Sequence, residues 1–387
     1  MEHLNRIEET YRRLISEGKE ILRLFSGNPV ENGFYFPEKI LKEAYQKFFD
    51  APSYQPHPKG LLEARQAISD YYRRQDAEVD PENLILTSGT SESFLYLFSL
   101  LGKPGDHFLI PCPSYPLFHH IAEMARVSLR HYPLLEKSNW KVDVEALEQA
   151  TDKTTRGIVL ISPNNPTGSV ASVEEIQRIV SWANEKKIPL ICDEVFSEFY
   201  FGAGKFPKFP RPMAVAKPDL CFTLNGISKM FALPALKLGW IAITGQKDLV
   251  ESAVDRLETM ADTFLSCHTP IQQALPVLFE ERQSFIASYR TEVARRRKIA
   301  ISLLKEIPQV GFVEPMGGFY LMMALDSRLS EEDLVIRLME EEGIFVHPGY
   351  FYDYEKGTHL VISFLTEESS LREGLEKLSR FLSRKAS

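Results

Sequence analysis

A chain of 387 residues with 44% hydrophobic content is long enough to bury a sizeable core and, by length alone, to form two or three domains. Its formal net charge of -8 excludes the broad basic surface that tracks a phosphate backbone, so a small diffusible substrate is expected and nucleic acid is not. Four cysteines (Cys112, Cys192, Cys221, Cys267) lack any CxxC spacing, which predicts reduced thiols, no disulfide framework and no metal site.

Residues 5–24 place Ile7, Tyr11, Leu14, Ile15, Ile21 and Leu22 at helical spacing, predicting an amphipathic arm or first helix. Charges run through this segment, so it offers no signal-peptide core, and no later stretch approaches a membrane span. A cytoplasmic protein without a membrane partner is expected.

From about residue 80, β-rich runs alternate with helical ones: LILTSG then SESFLYLFSLL, HFLIPCP then LFHHIAEMARV, RGIVLISP then SVEEIQRIVSWANEKK, followed by IPLICDEV and DLCFTLNG. This α/β alternation predicts a mostly parallel central sheet sandwiched by helices, with ligands gathered at the carboxyl ends of its strands. Beyond residue 285 a basic helical stretch, RTEVARRRKIAISLLKEI, and the short strands GFYLMMAL, GIFVHPG and HLVISF predict a smaller α/β domain. There is no internal repeat and no long linker.

Four loop segments each end a predicted strand: SGTSES (88–93), SPNNPTG (162–168), CDEVF (192–196) and GISK (226–229). Gly89, Thr90 and Ser91 stand between a strand and a helix, where backbone donors and hydroxyls cradle a phosphate. Asn165 precedes Pro166, Thr167 and Gly168 in a turn that leaves its amide free to donate, although NPTG alone is an ordinary turn. Asp193 ends the apolar run Ile188–Cys192, where an unpaired carboxylate is costly and a cationic partner is required; the plainer alternative is a helix cap. Lys229 follows the apolar Phe222–Leu224 in a small-residue turn, where desolvation would favour an unprotonated, nucleophilic amine.

In this order and spacing the segments resemble the class I and II aminotransferases, a family of fold type I architecture, from Gly27 to Phe364. The resemblance implies pyridoxal 5'-phosphate held by Lys229 as a Schiff base, with Asp193 beside the pyridine nitrogen and Asn165 on the phenolic oxygen. Tyr115 would stack on the ring, and Gly89, Thr90, Ser91, Ser228 and Lys237 would surround the phosphate. Lys237, in LKLGW, stands where the family usually has arginine; it keeps the charge and loses the bidentate fork. Tyr54, with Gly60 and Arg65 after it, resembles the segment that reaches a neighbour's phosphate, implying a homodimer with shared active sites. Gly27, in LFSGNPVENGF, resembles the loop that closes over substrate near its carboxylate, though a surface turn fits as well. The expected division is residues 1–45 as arm and part of the small domain, 46–284 as the large cofactor-binding domain, and 285–387 as the small C-terminal domain.

Three positions depart from the family. Val361 replaces the arginine that clamps the substrate α-carboxylate, and the nearest later arginine is Arg372. Phe196 replaces a tyrosine that bonds the phenolic oxygen, and Gly226 replaces a serine near the phosphate. Tyr35, Phe36, Phe319, Tyr320, Tyr350, Phe351 and Tyr352 make the substrate side rich in aromatics, many of them ordinary core. The implied activity moves an amino group from an amino acid to a 2-oxo acid by a ping-pong route, with Lys229 as general base. Val361 keeps a decarboxylase, β-lyase or racemase on the same fold as the alternative, because the carboxylate anchor orients the bond that breaks. A ligand-sensing regulatory domain is the reading of a different class, and no basic helix-turn-helix extension accompanies it here.

Overall fold

Why the chain makes this sheet is visible in its strand residues: Leu190–Asp193 is buried at all four positions, with Ile191 on one side of the sheet and Leu190 and Cys192 on the other. The computed structural model describes residues 5–52, 56–202, 204, 208–265 and 267–385. Among these, an eight-stranded sheet runs in the order Leu84–Thr87, Gly239–Gly245, Leu220–Gly226, Leu190–Asp193, Thr155–Ile161, His107–Cys112, Ser128–Leu135, Lys141–Val142. The inner pairs are parallel, as the alternating pattern predicts. Gly239–Gly245 is antiparallel to both neighbours, and Lys141–Val142 antiparallel to its one.

Helices Thr90–Leu101 and Lys247–Phe264 cover one face with Phe94, Leu97, Val254 and Leu257. Helices Val144–Ala150 and Val173–Lys186 cover the other with Leu147, Ile176, Ile179 and Val180. The latter starts with a capping box between Ser172 and Glu175. Adjacent strands bring Cys192 Sγ and Cys221 Sγ to 3.6 Å, and all four cysteines are free thiols.

The first helix is Arg6–Ser16, capped by the Asn5 side chain, and is shorter than the spacing over residues 5–24 predicts. Gly18, at φ +77°, takes the left-handed turn that ends it, and Leu22–Arg23 instead pairs in parallel with Ile344–Phe345. The basic stretch expected beyond 285 is the second half of one 37-residue helix, Thr269–Lys305, which runs uninterrupted through residues 284 and 285. It packs on helices Glu38–Asp50, Leu62–Arg73 and Glu368–Lys385. A four-stranded antiparallel sheet follows, in the order Val310–Phe312, Tyr320–Leu325, Thr358–Ser363, His347–Pro348. Among the described residues no helix is long and apolar enough to cross a membrane.

Candidate active site

The loops at the carboxyl ends of the parallel strands close around a cavity of about 190 Å³. Gly89, Thr90, Ser91, Tyr115, Asn165, Asp193, Ser228 and Lys229, eight residues singled out from separate segments, all line it. Its remaining wall is Phe94, Phe118, Ile121, Ile161, Val195, Phe196, Gly226, Leu238 and Tyr320, apolar apart from the tyrosine hydroxyl.

Lys229 sits in the short helix Ile227–Met230, directly after strand Leu220–Gly226, rather than in a turn. Its Nζ donates to the Gly27 carbonyl at 2.7 Å, and burial lowers its pKa to about 8. The helix can begin this close to the neighbouring strand because residue 226 is glycine. A Cβ there would lie 2.8 Å from the Leu238 carbonyl oxygen, so the family's serine would force a shift.

Asp193 closes strand Leu190–Asp193, and its Oδ1 accepts from the Val195 amide at 3.1 Å. Burial raises this carboxyl to about 6, and among the described residues no cationic side chain pairs with it. The partner that sequence chemistry requires is therefore not supplied by this chain's own cations. The Asn165 Oδ1 is likewise buried without a hydrogen bond. Gly89 adopts φ +150°, and the Lys237 amine stands 3.6 Å from where its Cβ would be, beside the first turn of helix Thr90–Leu101. Glu92 ties that loop down by accepting from the Ser88 hydroxyl at 2.8 Å.

These residues fit pyridoxal 5'-phosphate. An amine whose pKa burial lowers to about 8, an unpaired buried carboxylate and a glycine loop with the Lys237 amine beside it meet at one cavity, and each lacks what that group carries.

Other expected residues lie elsewhere. Tyr54 falls outside the described residues. Arg65 is buried and held by the Gly60 and Pro81 carbonyls and by Glu82, so its guanidinium is engaged within its own chain. Gly27 contributes its carbonyl to Lys229, and a Cβ on it would meet the Tyr320 hydroxyl. Of the seven aromatics expected on the substrate side, Tyr320 lines the cavity, whereas Phe36 and Phe319 are core and Tyr35 is largely exposed. Phe196 is buried edge-on against Phe319, with its ring centre 6.0 Å from the Lys229 amine. Val361 is fully buried opposite Met322 and His347, and Arg372 is ion-paired to Glu368 on the last helix. Among the described residues no arginine lines the cavity.

Sequence reasoning missed the ion pair directly behind Asp193. Glu194 Oε2 lies 3.0 Å from Arg211 Nε, both side chains almost wholly buried, and Arg211 also donates to Tyr71 and Ser197. Burial lifts Glu194 to about 7 even with the arginine beside it. Burial opposes the charge on Arg211 as well, but Tyr71 and Glu194 outweigh it and raise that pKa. The acidic pair in CDEVF was the available signal; Arg211, in an irregular proline-containing segment, gave none.

Comparison with known proteins agrees with this geometry. The family model for aminotransferases of class I and II matches residues 19–378. An alanine aminotransferase of Mycobacterium tuberculosis (strain ATCC 25618 / H37Rv) is 32% identical over 379 residues, spanning 96% of this chain and 87% of that protein. The glutamate-pyruvate aminotransferase AlaA of Escherichia coli (strain K12) is 30% identical over 381 residues, spanning 96% and 93%. A crystal structure of an aminotransferase from Escherichia coli superimposes with a TM-score of 0.89 at 28% identity, covering 98% of this chain and 95% of that one. Relatives of this kind decide for amino transfer and against the decarboxylase, lyase or racemase that Val361 left open. The chain belongs to the class I and II aminotransferases, has their fold type I architecture, and is a pyridoxal-phosphate-dependent enzyme that moves an amino group from an amino acid to a 2-oxo acid.

Proposed function

We propose that this aminotransferase exchanges the amino group of a small apolar amino acid, alanine foremost, with the glutamate and 2-oxo acid pair. The observation that carries the proposal is the buried Lys229 amine, with a pKa near 8, inside a cavity whose lining is largely apolar. The names of the relatives, alanine aminotransferase and glutamate-pyruvate aminotransferase, support the same pair.

Pyridoxal phosphate, when bound, supplies the carbonyl that condenses with an amine and the conjugated ring that accepts electrons from the α-carbon. Lys229 would hold it and then, released, carry the proton at the substrate α-carbon, a role suited to an amine poised near neutral pH. Asp193 would keep the ring nitrogen protonated, and Asn165 would donate to the ring oxygen. Gly89, Thr90, Ser91, Ser228 and Lys237 would take the phosphate, and Tyr115 would cover the ring. The wall of Phe94, Phe118, Ile121 and Ile161 excludes water and favours an apolar substrate side chain. With valine at 361, the substrate carboxylate would rely on backbone donors near Gly27.

The reading includes a cytoplasmic homodimer in which the segment around Tyr54 completes the neighbouring site. Residues 46–284 would form the cofactor-binding domain, with 1–45 and 285–387 forming the smaller one. Its support is the family resemblance of that segment.

The test is to add single amino acids to the purified holoenzyme without any 2-oxo acid, following the cofactor's absorbance and released product. Stoichiometric pyruvate from alanine, with glutamate also reacting, bears the proposal out. A response to aromatic or basic amino acids alone overturns the substrate assignment.

A further inference from the structure

Two histidines on consecutive elements meet a sequence-distant aspartate at the surface beyond the cavity wall. His119 lies on helix Phe118–Met124, His131 on strand Ser128–Leu135, and Asp353 just after the turn Gly349–Tyr352 that leads towards strand Thr358–Ser363. His119 Nε2 is 2.9 Å from Asp353 Oδ2, and His131 Nε2 is 3.5 Å from the same oxygen. All three ligand atoms lie within 4.8 Å of one another.

We propose that His119, His131 and Asp353 form a binding site for one divalent transition-metal ion of the zinc class. A tetrahedral ion with nitrogen and oxygen ligands at about 2.0–2.1 Å needs donor separations of roughly 3.3 Å, and the two shorter distances bracket that value. Two imidazoles and one carboxylate are also a donor set that such ions take in preference to magnesium or calcium, which favour all-oxygen sites.

The simpler account is a histidine–aspartate ion pair shared by both imidazoles, close for His119 at 2.9 Å and loose for His131 at 3.5 Å. His131 Nε2 is sealed from solvent and faces Asp353 at a distance where a hydrogen bond is weak, so an ion between them would satisfy it better than the carboxylate alone. The carboxylate is also held in place from its own backbone. Asp353 sits at φ +60°, its amide donates to the Tyr350 carbonyl at 3.2 Å, and its carbonyl accepts from the Cys112 thiol at 3.1 Å. His119 is half exposed, so an ion has a path in from solvent.

An ion here ties helix Phe118–Met124 and strand Ser128–Leu135 to the connection that follows Tyr352. The helix that carries His119 also carries Phe118 and Ile121, which line the cavity, and Asp353 belongs to the smaller sheet's connection. Binding therefore pins the cavity wall to that connection, which stabilises the folded holoenzyme by mass action.

The experiment is calorimetric titration of tag-free, chelator-treated holoenzyme with zinc sulfate and, separately, magnesium chloride. The same titrations are run on His131→Gln and Asp353→Asn, with His119→Gln as a third variant. One equivalent of zinc per chain is expected, with at least about tenfold weaker binding in each variant and no magnesium uptake. Zinc should raise the melting temperature of the wild-type holoenzyme and leave that of the variants unmoved. Absence of zinc binding to the wild type, or equal affinity in the variants, overturns the site. The melting temperature without metal shows whether each variant is folded.

Discussion

The Lys229 amine donates its 2.7 Å hydrogen bond to the Gly27 carbonyl, 202 positions earlier in the chain. Gly27 is tolerated there only without a side chain, because a Cβ would lie 1.9 Å from the Tyr320 hydroxyl oxygen. The loop of residues 25–28 is thereby pressed between the amine and the smaller sheet.

Gly27→Ala should therefore push Tyr320 aside and displace the carbonyl from Lys229. A misplacement approaching 1 Å near the reacting atoms costs up to about a hundredfold in rate, and a loss of roughly tenfold or more in kcat/KM is expected. Adding Tyr320→Phe removes the nearest clashing atom and should recover part of that loss. Equal rates in wild type and Gly27→Ala would show that the contact does not position the lysine.

Lys229→Met should abolish turnover while strengthening the apoprotein at neutral pH. Burial lowers the folded pKa to about 8 from an ordinary 10.5, so the unfolded chain binds more protons between those values. Apoprotein stability thus rises as pH climbs from about 8 to 10.5, and the penalty is complete below that window. Because the side chain keeps some exposure, the expected gain for the variant at pH 7 is on the order of 1–3 kcal/mol, shrinking towards pH 10. Denaturant unfolding of both apoproteins at pH 7 and 10 measures it.

Asp193→Asn tests the opposite sign. The carboxyl is raised by burial from 3.8 to about 6, so this group favours the folded apoprotein below pH 4 and that contribution is lost as pH rises through 6. The asparagine apoprotein should be more stable at pH 7.5 by about 1–3 kcal/mol. Pyridoxal phosphate should then raise the melting temperature of the wild type more than that of the variant. Equal cofactor-induced shifts would remove Asp193 from the ring nitrogen.

Arg211→Met leaves Glu194 buried without its cation, which costs about 3–5 kcal/mol when one partner of such a pair is removed. Since Glu194 already sits near 7 beside the arginine, it is protonated at pH 5.5 in the variant, and the loss there should be clearly smaller than at pH 8.5. Chemical denaturation at both pH values decides it; a pH-independent loss would mean that packing, and not charge, is what Arg211 provides.

Sequence reading reached the cavity-lining residues because topology does part of the work. Loops that follow parallel strands must emerge at one edge of the sheet, so strand endings bring Gly89, Asn165, Asp193 and Lys229 together, and the family resemblance adds their expected roles. The same reasoning could not separate Tyr320 from Phe319, since successive residues entering a strand face opposite layers and an aromatic suits either. It also overran the first helix, where Gly18 has a local effect that apolar spacing does not register.

Local patterns were thus sufficient for the alternation of strands and helices, the loops that bear chemistry, and the absence of an arginine at position 361. They depend on neighbours in the chain, which the sequence displays directly. The Glu194–Arg211 pair, the Gly27 contact with Lys229 and the His119–His131–Asp353 cluster depend on distances between segments far apart in the chain. Those distances are set by how sheets and helices pack, and a buried charge or an open ligand atom takes whichever partner that packing delivers.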